Sequence, residues 1–343
     1  MIFSLDGESP YCSAAKNAYN DPKLVAAWGK TESAWDFRNL ISLREFVCRD
    51  LIMRWQGREK SKNVEDRRGL KGPVVGGGLL IVIIGAIFAL LNGGNPLQIF
   101  QQVGVQLQQQ GAAGKADPAQ GPRPDDKLAE FSSVVFKDTE DVWNRLFPAT
   151  FQQPYKEPGL VLFNGRVETR GCGVASSGVG PFYCGGDGKV YIDLSFFDDL
   201  QTKFKAPGEF ACAYVIAHEV GHHVQNLLGI LGKVQNEQRR LPEVESNRLL
   251  VRLELQADFL AGVWAHHAQR MKGILESGDI ESGIKAAAAV GDDTIMRNAG
   301  RHPVPDAFTH GTSAQRMRWF MLGLETGDPN KMMDLFDLPY ESL

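Results

Sequence analysis

The residues AYVIAHEVGHHVQNLL, 213–228, set His218, Glu219, His222 and His223 into an otherwise apolar run. Positions i and i+4 of a helix share a face, so His218 and His222 can aim two ring nitrogens at one ion. Glu219 sits one position further round, where it reaches a water at that ion without ligating it. An unpaired His-Glu-His group is costly to bury among apolar neighbours. The chain must therefore fold as a core helix faced by a second element that brings a further ligand. A metal-free polar patch within the helix is the plainer alternative. His223 is turned about 100° from His222 and is expected to pack or face solvent.

Zinc suits two imidazoles and a carboxylate, and a catalytic zinc needs a third protein ligand. Within LLVRLELQADFLAGVW, Glu254 and Asp258 share a helical face with Val251, Ala257 and Ala261. Carboxylates on an apolar stripe need a cation, so Glu254 is the expected third ligand. Asp258, one turn on, is placed to accept the free ring N–H of a ligating histidine. Surface pairing of Glu254 with Arg248 or Arg252 is the competing reading.

Apolar spacing predicts helices over 126–147, 207–228, 242–269, 279–299 and 313–324, with strands over 160–169 and 189–196. Helices outnumber strands and the strands come first, which predicts an α+β domain.

Residues 74–91, VVGGGLLIVIIGAIFALL, carry no charge. As a helix they would span roughly 27 Å, the thickness of a bilayer's hydrocarbon. Arg54, Arg58, Lys60, Lys62, Arg67, Arg68 and Lys71 precede them, and no charge follows until Lys115. The positive-inside rule then puts 53–73 in the cytoplasm as a basic flank and the following chain outside, on the periplasmic or extracytoplasmic face of an inner membrane crossed once. A core helix or a cleaved signal peptide are the rivals. Residues 92–126, rich in Gln, Gly and Pro, form a linker to a domain over 127–343. Residues 1–52 fit this plan poorly, and Met53 is a natural start. A net charge of -4 and a pI near 6.0 give no reason to expect nucleic acid as a partner.

Cys172 and Cys184 flank GVASSGVGPFY. On an oxidising side they would form a disulfide that contributes about 3 kcal/mol in the chain-entropy model; a second metal site is the alternative. Cys212 reads as a small buried hydrophobe.

H-E-x-x-H followed by Glu-x-x-x-Asp on a later helix is similar to the gluzincin arrangement. The segments RWQGREKSKNVEDRRG, GCGVASSGVGPFYC, VYIDLSFFDDL, YVIAHEVGHHVQNLLG, LELQADFLAGVWAHH and VPDAFTHGTSAQRMRWF most resemble the bacterial neutral zinc metallopeptidase family, the YpfJ-like proteins. The resemblance runs from Met53 to about Gly327. It implies a zincin-like domain that hydrolyses peptide or protein substrates, zinc on His218, His222 and Glu254, and Glu219 as general base. Family members often carry cysteines at the positions of Phe259 and near Met332, so a second disulfide is not expected. The resemblance also makes KVYIDLSF a candidate edge strand that pairs with extended substrate, against an ordinary sheet strand. In FTHGTSAQR, His310 or Arg316 would stabilise an oxyanion; the plainer reading is a helix cap at Thr312 or Ser313. A binding or assembly factor with a structural zinc, and a cell-wall amidase, are the other functional readings.

Overall fold

Two short stretches of alternating side chains build the centre of the molecule, which a computed structural model describes over residues 53–68 and 126–343. They are β2 (Gly159–Phe163) and β6 (Lys189–Asp193), paired in parallel with Leu160 opposite Val190 and Leu162 opposite Ile192. Leu160, Leu162, Val190 and Ile192 enter the main core, while Val161, Phe163 and Tyr191 face the other way into a small second core. A strand turns successive side chains to opposite faces, so burial on both faces produces this near-continuous apolar pattern.

β1 (Val64–Asp66) pairs in parallel with the other side of β2, and β5 (Phe182–Cys184) pairs antiparallel with β6. The sheet order is β1-β2-β6-β5. β3 (Arg166–Glu168) and β4 (Val174–Ser176) form a separate antiparallel ladder. KVYID is therefore an interior strand, the ordinary sheet strand of the two readings and not the candidate edge. Asp193 ends it, because its Oδ1 accepts the backbone N–H and the hydroxyl of Ser195 and turns the chain into α2 (Ser195–Thr202). Ser195 and Phe196, read as strand in the sequence, are helical.

A parallel pair needs a crossover, and α1 (Lys127–Phe151) lies in the connection between β1 and β2. The helices that follow are α3 (Glu209–Leu227), α4 (Ile230–Gln238), α5 (Glu243–Lys272), α6 (Asp279–Ala289), α7 (Asp292–Asn298), α8 (Ser313–Thr326) and the short α9 (Asp334–Asp337). The single helix expected over 279–299 is two, interrupted at Val290 and Gly291, where Asp292 turns to the chain around Gly311. Helices over a mixed sheet give the α+β class.

The largest departure concerns residues 53–68. Expected as a flank outside the domain, they belong to the same compact unit, which begins at Met53. Met53 and Trp55 are buried in the main core, and Trp55 sets its ring edge-on to Phe131 of α1. The expectations for 1–52, for 74–91 and for nearly all of the linker fall outside the described residues. Among the described residues no helix is long and apolar enough to cross a membrane.

Cys172 and Cys184 are bonded to each other, closing a loop of twelve positions over the second core. Cys212 is a free thiol, half-buried on α3.

Candidate metal centre

Two helices make the site. In α3 the sequence HEVGH places Gly221 where a Cβ would sit 3.0 Å from the carbonyl oxygen of Ala257. Any larger residue would push α5 away. With glycine there, the backbones close up and Glu254 and Asp258, on either side of Ala257, come level with His218 and His222.

His218 Nε2 lies 3.3 Å from Glu254 Oε2, and His222 Nε2 lies 3.4 Å from Glu254 Oε1. The three ligand atoms fall within 4.8 Å of one another. Ligands about 2.0 Å from a tetrahedral zinc stand about 3.3 Å apart, which is the separation of each Nε2 from one of the two carboxylate oxygens. The remaining ring nitrogens are already committed. His218 Nδ1 is 2.8 Å from Asp258 Oδ1, and His222 Nδ1 is 2.8 Å from Gln225 Oε1. Each Nδ1 donates its hydrogen, which leaves both Nε2 lone pairs directed at one point. Glu254 Oε1 is buried without a hydrogen-bond partner, a further sign that the donor set suits a cation.

The electrostatics agree with that arrangement. Burial opposes ionisation of Glu254, but His222 and His218 outweigh it and hold the carboxyl well below its usual range. Burial also works against a charged His218; Asp258 and Glu254 prevail and raise it to about 9. Zinc competes with that proton for the same lone pair. Asp258 is held low despite burial by Arg316 and then His218.

Asp258 is the hub behind the ligands. Besides His218 it accepts Tyr214 Oη, and Arg316 Nε and Nη2 at 2.7 and 2.9 Å. Arg316 is thus spent on Asp258, with Nη1 on the carbonyl of Val290, and acts by fixing Asp258. Arg316 also lines the pocket beside His310.

Glu219 is buried, and its Oε2 has no hydrogen-bond partner. Burial raises its pKa, with the two histidines working the other way. His310, also buried, joins Glu219, His218, Glu254 and the apolar walls Phe196, Phe204 and Val215 around one pocket. Asp292 holds it there: Oδ2 accepts the backbone N–H groups of Thr309, His310 and Gly311, and Oδ1 lies 3.1 Å from His310 Nδ1. Burial disfavours the charged ring, yet Asp292 raises the pKa of His310 overall. Thr312 caps α8 in a capping box with Gln315, so the cap expected from the sequence and the pocket histidine coexist in one loop.

His223 stands apart from the candidate metal ligands. Its Nε2 donates to the carbonyl of Lys156 at 2.6 Å, and its Nδ1 meets Tyr183 Oη at 2.9 Å. It is buried, which lowers its pKa to about 4 and keeps it neutral.

Sequence reading passed over Tyr214, Gln225 and Asp292. Tyr214 lies four residues before His218 and Gln225 three after His222, so helical spacing carried a signal for both. For Asp292 no local signal exists, because its partners are seventeen to nineteen positions away.

A family model described as "putative neutral zinc metallopeptidase" matches residues 53–335. The chain belongs to that family. It is 46% identical over 287 residues to the uncharacterized protein YpfJ of Escherichia coli strain K12, covering 81% of this chain and 96% of that one. It is 48% identical over 199 residues to the uncharacterized protein Rv2575 of Mycobacterium tuberculosis, covering 55% of this chain and 64% of that one. No solved structure matches.

Proposed function

We propose that the protein is a zinc-dependent peptidase in which His218, His222 and Glu254 hold the metal and Glu219 is the general base. The observation that carries the reading is the pairing of a three-ligand set with a buried, unpartnered carboxylate oxygen in the same pocket. Three protein ligands leave a tetrahedral ion one open position, the mark of a catalytic site rather than a structural one. When bound, zinc supplies Lewis acidity and brings the pKa of water toward neutrality.

The chain's own residues do the rest. Glu219, raised by burial, takes the proton from the water that attacks the peptide carbonyl carbon. As the C–N bond breaks, it delivers that proton to the leaving nitrogen. His310, oriented by Asp292 through Nδ1, donates a hydrogen bond to the oxygen that gains charge in the tetrahedral state. Asp258 and Gln225 hold the histidine tautomers throughout. Phe196, Phe204 and Val215 wall the pocket against bulk water. Membrane attachment through residues 74–91 is part of the proposal, on the strength of their uncharged composition.

The test compares metal content and peptide-library digestion for wild type and Glu219→Gln. Both proteins are expected to carry zinc, with cleavage lost by about 10²–10⁴-fold in the variant. Full cleavage by the variant overturns the role of Glu219. Stoichiometric zinc in a wild type that cleaves nothing in the library favours a structural metal in a binding or assembly factor.

A further inference from the structure

The chain just before the apolar run is stitched into the domain that carries the metal site. β1 lies beside β2 in register, Val64 opposite Leu160 and Asp66 opposite Leu162. Leu160 donates its N–H to the carbonyl of Asn63 at 2.8 Å, and Arg67 donates to that of Leu162 at 2.7 Å. Ser61 and Asn63 both hydrogen-bond Glu140 of α1, and the N–H of Arg54 reaches the carbonyl of Ile274 just past α5. Arg68 and Asp126 form an ion pair. Residues 68 and 126, which flank segment 69–125 in the sequence, are therefore neighbours in the fold.

A single crossing within 69–125 would separate β1 from β2 by about 30 Å of hydrocarbon, whereas paired strands lie about 4.8 Å apart. Returning across the bilayer would take a second apolar stretch of about 20 residues. Beyond residue 91 the sequence offers only LQIFQQVGVQLQQQ, broken by glutamines. The charge asymmetry that suggested an orientation also has another origin. Arg54 pairs with Glu276, Arg58 with Asp138, Lys60 with Glu130, Arg67 with Glu65, and Arg68 with Asp66 and Asp126. Cations matched to carboxylates of the fold serve the fold, and they lose force as a cytoplasmic signal.

We propose that residues 53–68 and the metal site lie on one side of the membrane. A single crossing between residue 68 and residue 126 is incompatible with that placement, because β1 and β2 are paired. The inference rests on strand pairing and ion pairs and is independent of peptidase activity.

Lys62 and Glu325 are both exposed, one on each side of the apolar run in sequence. The test uses the full chain with Cys12, Cys48 and Cys212 changed to Ser, carrying Lys62→Cys or Glu325→Cys. Each is labelled with a membrane-impermeant maleimide before and after permeabilising the cells. The expected result is one pattern for both positions, both labelled or both protected until permeabilisation. Release from the membrane pellet on deletion of 74–91 is expected alongside it. Labelling from opposite sides overturns the proposal, and so does a full chain that stays in the soluble fraction.

Discussion

Asp279 shows how a single buried group sets pH behaviour. It opens α6 fully buried; Oδ2 accepts the N–H of Glu276 at 2.8 Å, and Oδ1 has no hydrogen-bond partner. Burial, helped by Glu209, Glu276 and Glu281, pushes its pKa from 3.8 to about 6. The folded state therefore holds more protons than the unfolded one between these values, and stability falls as pH rises through that window. Asp279→Asn keeps the acceptor and removes the charge. We expect it to be about 1–3 kcal/mol more stable than wild type above pH 6, with no difference below pH 4, in urea melts at both pH values. At the candidate metal site, Gln225→Ala leaves His222 Nδ1 without its acceptor. Zinc affinity should drop about 10–100-fold in chelator competition, while an unchanged affinity removes Gln225 from the site. The spacing of His218, Glu219 and His222 was legible because a helix fixes neighbours by backbone geometry alone. Asp292 was not, since only a loop packed from elsewhere brings His310 to it.

Pairs of helices decide the next level. α5 and α8 cross where a Cβ on Gly323 would lie 2.0 Å from the carbonyl oxygen of Phe259. That close approach sets Arg316 of α8 against Asp258 of α5. Gly323→Ala must separate the helices, so we expect a loss of about 1–3 kcal/mol or more in chemical denaturation, with weaker zinc binding in the same protein. A folded variant with wild-type metal affinity would sever the crossing from the site. Long helices were readable within a few residues of their ends, because apolar periodicity repeats over many turns. The strands were less so. KVYID is flanked by partners on both sides, and an interior strand and an edge strand of five residues carry the same alternation. The helix break at Gly291 was hidden because Asp292 is held by the chain near Gly311.

For the whole molecule, residues 53–68 are the test of integrity. Trp55 is buried against Phe131 and covers the start of α1. Trp55→Ala should cost about 3–5 kcal/mol in a thermal or urea melt, as expected of a large core side chain. A near-neutral effect would mean that the segment is an appendage, as its sequence alone suggested. The chain by itself determined the α+β class, the two histidines and the glutamate beside them, the helix that offers Glu254 and Asp258, and the cysteines that pair. Each is written in residue type or in spacing within one element, where local geometry does the positioning. Tertiary structure alone decided that Arg316 serves Asp258, that Asp292 orients His310, that KVYID is interior, and that a basic stretch ahead of an apolar run is a strand of the domain. Those depend on which distant surfaces meet, and burial drives that meeting without leaving a local period in the sequence.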